Sequence, residues 1–396
     1  MKSTSRWLIP LLLALLLVVA VLWLLRSEFV ADRVDDEVVP DSVPVAETDD
    51  AVFEEAPLAA NVVTGLEIPW SIAFFQDGSF VFTERVGRLR YYDIDTGLAP
   101  EPLFDPEDFD HLGEGGMLGV AIHPEDDTQL YVYYTYRDGA TAFNKVVRGT
   151  LVEDRSALRD PRVILDQIPG SKNHDGGRLK FGPDNMLYIT TGDAENTKLA
   201  QDRDSLAGKI LRLDPEGHIP ADNPEIDDPN ATSTTNLPPA LYWSIGHRNP
   251  QGIAWDDEGQ LWATEHGSQS TDELNRIEKG LDYGWPTIRG DEIASNQETP
   301  YLHSGTDITW APFGLAYLPS TKRLYWAGLR SQTLWSLSPE EGPESLTPHL
   351  EKQFGRLRDV VVGPDGFLYV LTSNQDGRGV PTVDDDRILR INPAKL

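Results

Sequence analysis

Residues 173–184, NHDGGRLKFGPD, contain a turn pattern that recurs throughout the chain. A short apolar strand precedes each turn, and a second strand follows it and ends in Thr, Gly or Glu. The six copies span residues 68–94, 116–136, 176–193, 249–267, 311–329 and 357–375. Repeats at intervals of a few tens of residues are typical of a β-propeller, with one blade for each copy.

A third strand follows the copies, as in GRLRYYDI at 87–94 and GKILRLDP at 208–215. We expect a fourth strand at the outer edge of each blade. Six similar units that cannot bury both faces alone favour one closed ring over a β-sandwich. The fold class is therefore all-β, and the sequence predicts a six-bladed β-propeller over residues 58–396.

The N-terminus carries the run WLIPLLLALLLVVAVLWLL at 7–25. As a helix this run is about 28 Å long, close to the hydrocarbon thickness of a bilayer. Lys2 and Arg6 precede it and no Ala-x-Ala cleavage site follows, which favours an uncleaved membrane anchor over residues 1–26. A cleaved signal peptide is the alternative. In both cases the propeller is expected on the periplasmic or extracellular side of the cytoplasmic membrane.

Residues 27–57 contain eleven acidic residues and one arginine, so they predict a disordered acidic linker. The whole chain carries a formal net charge of −30. This charge argues against nucleic acid and anionic lipid surfaces as partners, and leaves the N-terminal helix as the only predicted membrane contact. Because the chain has no cysteine, disulfides are excluded.

Polar residues recur at one phase of the repeat, just before the first strand or just after the second. Because neighbouring strands are antiparallel, these positions lie at the same end of every blade and line one mouth of the central channel. Several arginines at one opening predict a small anionic ligand. Taken singly, His174 also fits a packing residue and Arg356 a solvated cap, but the shared phase favours function. The positions are Glu114, His174, Asp193, Arg248, Asn249, Glu265, His266, Gly267, Arg330, Arg356, Arg358 and Asn374.

Four blocks of sequence, at 173–193, 246–255, 265–286 and 355–372, resemble one family of proteins. They read NHDGGRLKFGPDNMLYITTGD, GHRNPQGIAW, EHGSQSTDELNRIEKGLDYGWP and GRLRDVVVGPDGFLYVLT. In this order they resemble the soluble pyrroloquinoline-quinone (PQQ)-dependent glucose and aldose sugar dehydrogenases, over nearly all of residues 60–393. The resemblance implies oxidation of an aldose at its anomeric carbon to a lactone, with PQQ and Ca²⁺ as cofactors. It leaves open whether a quinone or a cytochrome accepts the electrons.

The resemblance also implies roles for individual residues. His174 would be the general base, with Asp193 orienting its imidazole, and Arg248 would stabilise negative charge on the cofactor. Asn249 would hydrogen-bond the cofactor. The cofactor's carboxylates would be held by Arg330, Arg356 and Arg358.

Calcium is implied at two places by the same resemblance. The backbone carbonyls of Gly267 and Ser268 would bind the ion that contacts the cofactor. Glu273, with Asp272 and Tyr283, matches a separate structural calcium site. An exposed acidic turn is the alternative for this second segment.

Glu114 departs from the family, because the turn GEGG at 113–116 has Glu where the sugar dehydrogenases have Gln. An ionised Glu cannot donate a hydrogen bond to a cofactor carboxylate. Either Glu114 is protonated, or it faces a cation, or the cofactor site is altered.

The alternative function is that of a non-redox propeller, either a displayed binding module or a calcium-dependent lactonase. The predominance of Arg and His at the predicted mouth disfavours metal-dependent hydrolysis. Trp285 and Trp310 fit either a stacking surface for a sugar or core packing.

Overall fold

The computed structural model describes residues 50–225 and 240–396. In these ranges the chain forms six four-stranded sheets, and each sheet is antiparallel. Each sheet is one blade, so the predicted six-bladed β-propeller is confirmed. The predicted membrane anchor at 1–26 and residues 27–49 of the predicted linker lie outside the described ranges. No helix among the described residues is long and apolar enough to span a bilayer.

The strands of each blade follow one another from the channel to the rim. The innermost strands are β2 (Pro69–Phe74), β6 (Met117–Ile122), β10 (Leu179–Phe181), β14 (Pro250–Trp255), β18 (Pro312–Leu318) and β22 (Leu357–Val362). The second strands are β3 (Phe80–Glu84), β7 (Gln129–Asp138), β11 (Leu187–Thr191), β15 (Leu261–Glu265), β19 (Arg323–Gly328) and β23 (Leu368–Thr372).

The outer two strands complete each blade. The third strands are β4 (Arg88–Asp93), β8 (Thr141–Leu151), β12 (Lys209–Leu213), β16 (Glu273–Ile277), β20 (Thr333–Leu337) and β24 (Ile388–Ile391). The fourth strands are β5 (Gly97–Leu98), β9 (Leu158–Pro169), β13 (Tyr242–Ile245), β17 (Leu302–His303), β21 (Thr347–His349) and β1 (Ala59–Val63). The expected fourth strand is therefore present in every blade. Short 3-10 helices cover Thr197–Ala200, Pro343–Ser345 and Pro393–Lys395.

The ring closes by joining the two ends of the propeller domain. Strand β1, from the N-terminal side, pairs antiparallel with β24, so that Ala59 lies opposite Ile391. The last blade is thus built from both ends of the domain, and the outer edge of β24 is not left unpaired.

One correction concerns the end of the predicted disordered linker. Its last residues form a short helix, α1 (Asp50–Glu55), that packs on the last blade. The Phe53 ring stacks on that of Phe367 with centroids 4.6 Å apart. The Asn392 amide donates to the carbonyls of Phe53 and Ala56 at 2.6 and 3.2 Å. The described end of this segment is therefore ordered, because it offers an aromatic ring and backbone acceptors to the blade.

The inner strands are irregular at the end where they begin. In β2, β6, β14, β18 and β22 the pairing with the second strand shifts register within the first residues. Such bulges bend a strand and change the direction in which its side chains point. They occur at the end of the ring where the polar positions of the repeat were expected to meet.

Candidate active site

A cavity of about 430 Å³ opens where the inner strands begin. Six arginines line it, together with His174, His266, Gly267, Asp272 and Glu114. The structure therefore brings together at this mouth most of the residues selected by repeat phase. The arginines are Arg85, Arg248, Arg330, Arg356, Arg358 and Arg378.

His174 forms a hydrogen-bonded pair with a buried carboxylate. Its Nδ1 lies 2.7 Å from Oδ1 of Asp193, whose side chain is fully buried. Trp285 donates its indole N–H to the other carboxylate oxygen at 2.8 Å. An ionised carboxylate can only accept hydrogen bonds, so the proton of a neutral imidazole lies on Nδ1. The second ring nitrogen, Nε2, is then the basic atom of His174.

The backbone of His174 adopts a left-handed conformation, with φ of 63°. This conformation is uncommon for a residue with a Cβ and persists where the surroundings hold it. Glu114 accepts a hydrogen bond from the His174 N–H at 3.4 Å, and the Ala194 N–H donates to the His174 carbonyl at 3.2 Å. A Cβ at Gly192 would lie 2.0 Å from that carbonyl oxygen, so only glycine permits this approach.

Two of the lining arginines share one buried carboxylate, that of Asp376. Arg356 contacts Asp376 Oδ2 through two nitrogens at 2.9 and 3.2 Å, and Arg358 contacts it at 3.2 Å. Burial raises the pKa of Asp376, but the charges of Arg358 and Arg356 outweigh it and leave the pKa below its usual value. Burial, together with the charge of Arg85, lowers the pKa of Arg358 to about 9. The cluster therefore holds more positive charge than its internal carboxylate neutralises.

Glu114 faces a cation, which was one of the three possibilities left by the sequence. Its Oε1 accepts a hydrogen bond from Arg378 at 2.7 Å, in an ion pair that reaches across the mouth from the last blade. Burial raises the pKa of Glu114, but the bond from Arg378 and the nearby His266 and Arg378 charges leave it below its usual value. Glu114 is therefore ionised at neutral pH.

Arg248 and Asn249 directly precede β14, the inner strand of the fourth blade. Arg248 donates to the His266 carbonyl at 3.1 Å, and its guanidinium lies 5.4 Å from the Trp285 ring. Burial lowers the pKa of Arg248. Asn249 is almost fully buried, and its Oδ1 accepts from Gly176 N–H at 3.1 Å and from Gln251 at 3.0 Å. Asn249 thus fixes the wall beside His174.

Two other positions selected by repeat phase also support the wall. Glu265 is buried and accepts from His247 Nδ1 at 2.8 Å and from the Arg248 backbone N–H. Asn374 accepts from the Arg356 N–H at 2.8 Å through its side-chain oxygen. Both residues hold arginine-bearing segments in place.

The residues expected near calcium occupy two adjoining places. Gly267 borders both the main cavity and a second one of about 10 Å³, which Ser268, Glu273 and Tyr283 also line. Burial and the charge of Glu265 raise the pKa of Glu273 to about 8. A cation in this small cavity would relieve the repulsion between these two carboxylates.

Asp272 and Tyr283 have partners of their own in this region. Asp272 accepts from the backbone N–H groups of Gly267 and Ala311, at 2.9 and 2.8 Å. The Tyr283 hydroxyl donates to the Arg276 carbonyl at 2.6 Å and accepts from the Glu278 N–H at 2.9 Å. These contacts brace the loop, and calcium binding by either residue stays a prediction.

The sequence did not predict that four residues, Arg85, Arg378, Trp70 and Phe313, line the cavity. Arg85 directly follows β3, the same phase that selected Asp193, so the repeat itself could have identified it. Arg378 lies in a loop beyond β23, where no repeat position marks it. Trp70 and Phe313 contribute aromatic side chains to the cavity lining.

The two tryptophans considered from the sequence have different places. Trp285 donates a hydrogen bond to Asp193, whereas Trp310 is buried in the core against Trp326.

The cavity wall has polar atoms that no residue in the described ranges satisfies. They are Arg85 Nε, Asp175 Oδ2, Gln251 Oε1 and His266 Nε2, all buried. Buried polar groups are normally hydrogen-bonded, so such atoms at a cavity indicate a ligand or ordered water. Arg85 Nε is a donor and, with the six arginines, fits an anionic ligand, whereas Gln251 Oε1 can only accept a hydrogen bond.

The family model described as Glucose / Sorbosone dehydrogenase matches residues 66–389. The chain is 32% identical to the aldose sugar dehydrogenase YliI of Escherichia coli, over 81% of this chain and 92% of that protein. It is 30% identical to quinoprotein glucose dehydrogenase B of Acinetobacter calcoaceticus, over 58% and 52% of the two chains. The PQQ-bound structure of aldose sugar dehydrogenase from Streptomyces coelicolor superposes with a TM-score of 0.74 at 36% identity, covering 84% of this chain and 98% of that one.

Proposed function

Because the chain belongs to the glucose/sorbosone dehydrogenase family, we propose that it oxidises aldose sugars at the anomeric carbon to lactones, with PQQ and Ca²⁺ as cofactors. Family membership supports oxidation of a small-molecule sugar. The main support for PQQ-dependent oxidation at the anomeric carbon is the pairing of His174 with Asp193 in the wall of an arginine-lined cavity.

The lining residues fit a planar tricarboxylate such as PQQ. Arg356 and Arg358 are buried and held by Asp376, whereas Arg330 is exposed at the rim of the cavity. Their guanidinium groups could therefore bind one carboxylate inside the cavity and another near its opening. Bound PQQ would supply the two-electron acceptor for the hydride that leaves the anomeric carbon. Arg248, beside His174 in the wall, would stabilise negative charge that develops in the cavity.

His174 would remove the proton of the anomeric hydroxyl through Nε2. Asp193 holds the proton of the imidazole on Nδ1 and would stabilise the imidazolium that forms. Trp285 fixes the Asp193 carboxylate from the other side. The three residues together orient the base before the sugar binds, which lowers the entropic cost of reaching the transition state.

Two calcium ions are part of the proposal. The carbonyls of Gly267 and Ser268, where the main cavity meets the small one, would provide oxygen ligands for the ion that contacts the cofactor. Glu273 would provide a carboxylate for the separate structural ion. The raised pKa of Glu273 supports this placement, because a buried carboxylate beside another one favours a divalent cation.

The protein's location and electron acceptor are also part of the proposal. The apolar run at 7–25 would anchor the propeller to the outer face of the cytoplasmic membrane. A membrane quinone or a cytochrome would then take the electrons.

The non-redox alternative has weaker support. Arg and His outnumber carboxylates in the lining of the cavity, whereas a lactonase would need carboxylate and Asn ligands for its channel metal.

The test is a dye-reduction assay on the full-length protein with calcium and PQQ. We expect reduction with aldoses and formation of the lactone, and none with the matching alditol, which lacks an anomeric carbon. Omitting PQQ or adding a calcium chelator should abolish the reaction. Absence of PQQ binding by absorbance at saturating cofactor would overturn the proposal.

A further inference from the structure

A second cavity, of about 370 Å³, lies at the opposite end of the central channel. It is lined by the later residues of the inner strands, whereas the active-site cavity is lined where those strands begin. We call it the distal cavity. Its lining includes Phe74, Ile122, Lys180, Phe181, Tyr317 and Val362. Pockets of this size and composition are typical of small-molecule sites.

A stacked pair of side chains separates the two cavities. The Arg178 guanidinium lies 4.6 Å from the ring of Trp70, which lines the active-site cavity. Arg178 also donates to Ser71 Oγ at 2.9 Å and to Asp359 Oδ2 at 2.8 Å. Arg178 itself lines the distal cavity and closes its inner end.

The distal cavity holds more cationic than anionic groups. Lys180 makes a hydrogen bond to the Ile253 carbonyl at 3.2 Å, whereas an ammonium group has three donors. Arg178 is almost fully buried, and its Nε and one terminal nitrogen have no partner. Asp359 is the carboxylate in the lining, and Arg178 already engages it.

The excess positive charge in the lining predicts that a ligand of the distal cavity carries a negatively charged group. Burial lowers the pKa of Lys180 to about 8, so the amine remains mostly protonated at neutral pH. Lys180 is only partly buried, and an anion facing its ammonium group would stabilise the charged form. A carboxylate placed beside Lys180 would provide that anion.

The remaining lining residues are mostly apolar or aromatic, which predicts that the rest of the ligand is apolar. Phe74, Phe181 and Tyr317, on three different blades, contribute aromatic side chains to the lining. We propose that the distal cavity binds a small aromatic monocarboxylate, with its carboxylate on Lys180 and its ring against the apolar and aromatic lining. This site is separate from the proposed oxidation site and does not depend on it.

The probe for this proposal is benzoate, titrated calorimetrically into the full-length protein. Benzyl alcohol has a similar ring without the charge, and acetate has the charge without the ring. We expect one benzoate per chain, with at least tenfold weaker binding of both comparison compounds. Equal binding of benzyl alcohol would overturn the role of the cation, and equal binding of acetate the role of the ring.

Substitutions at Lys180 locate the bound probe. Lys180→Met should weaken benzoate binding at least tenfold, Lys180→Arg should retain it, and Lys198→Met, at an exposed lysine, should leave it unchanged. Lys180→Gln provides a second neutral variant should Lys180→Met fail to fold, as judged by thermal unfolding. Unchanged affinity in a folded neutral variant would mean that benzoate binds elsewhere, for example among the active-site arginines, and would overturn the proposal.

Discussion

In the proposed reaction Asp193 would act only through His174, because its side chain is fully buried and contacts the imidazole. Asp193→Asn should therefore lower kcat by about 10²-fold or more, since an amide can donate to Nδ1 and move the imidazole proton to Nε2. Affinity for PQQ should change little. Steady-state kinetics and PQQ titration measure the two quantities, and an unchanged kcat would contradict the role given to Asp193.

Glu114 places a negative charge at a mouth that otherwise attracts anions. Glu114→Gln removes this charge and frees Arg378 from its ion pair. We expect PQQ to bind about three- to tenfold more tightly, which corresponds to about 1 kcal/mol for a partly exposed charge. The gain should shrink at high salt because of screening.

The control for Glu114 is Asp110→Asn, which breaks an ion pair with Arg137. Asp110 is not among the residues that line the cavity. This substitution should leave PQQ affinity unchanged. Weaker PQQ binding by Glu114→Gln would indicate instead that Glu114 serves mainly to hold the backbone of His174.

Asp175, next to His174, should make stability depend on pH. Burial raises its pKa to about 7, from an ordinary value of 3.8. Between these two values the folded protein retains a proton that the unfolded chain has lost, so the free energy of unfolding falls as pH rises. The slope from this residue approaches about 1.4 kcal/mol per pH unit.

Asp175→Asn should remove this contribution, and its stability relative to the unchanged protein should rise between pH 4 and pH 7. Urea unfolding at several pH values measures the difference. An identical pH dependence in the two proteins would mean that Asp175 is ionised in the folded state.

Strand β1 and helix α1 make the last blade depend on the N-terminal side of the domain. Deleting residues 1–49 leaves both elements in place, whereas deleting residues 1–63 exposes the outer edge of β24. We expect the full chain and the first truncation to unfold cooperatively, and the second truncation to lose solubility or cooperative unfolding. Equal thermal unfolding of the two would show that closure by β1 is dispensable.

The sequence predicted most strands because each blade repeats the same alternation around its turn. Strand β1 was missed because AANVV at 59–63 carries no such turn and pairs with residues from the far end of the chain. Helix α1 was missed because six residues are too few for a helical period to stand out among acidic neighbours.

At the candidate site, repeat phase selected residues that the blades bring to one mouth, including His174, Arg356 and Arg358. It could not find Arg378, whose position depends on the path of a loop. It also could not distinguish residues that line the cavity from those behind it, such as Asn249 and Glu265, since both kinds share one phase.

Across the whole molecule, charge is strongly separated. The chain carries a formal net charge of −30, yet six arginines line one cavity. The net negative charge of the chain repels a large polyanion, whereas a small anion can enter the mouth and contact the arginines. The propeller makes this separation possible, because each blade contributes residues at the same phase to one opening.

Whether this mouth is an oxidising site with His174 as its base is best tested by a single turnover. The full-length protein and His174→Ala are loaded with PQQ and calcium and mixed with excess aldose, and cofactor reduction is followed by stopped-flow absorbance. Both proteins should bind PQQ with similar affinity, and His174→Ala should reduce it at least about 10²-fold more slowly. Reduction at an equal rate in both proteins would contradict the account.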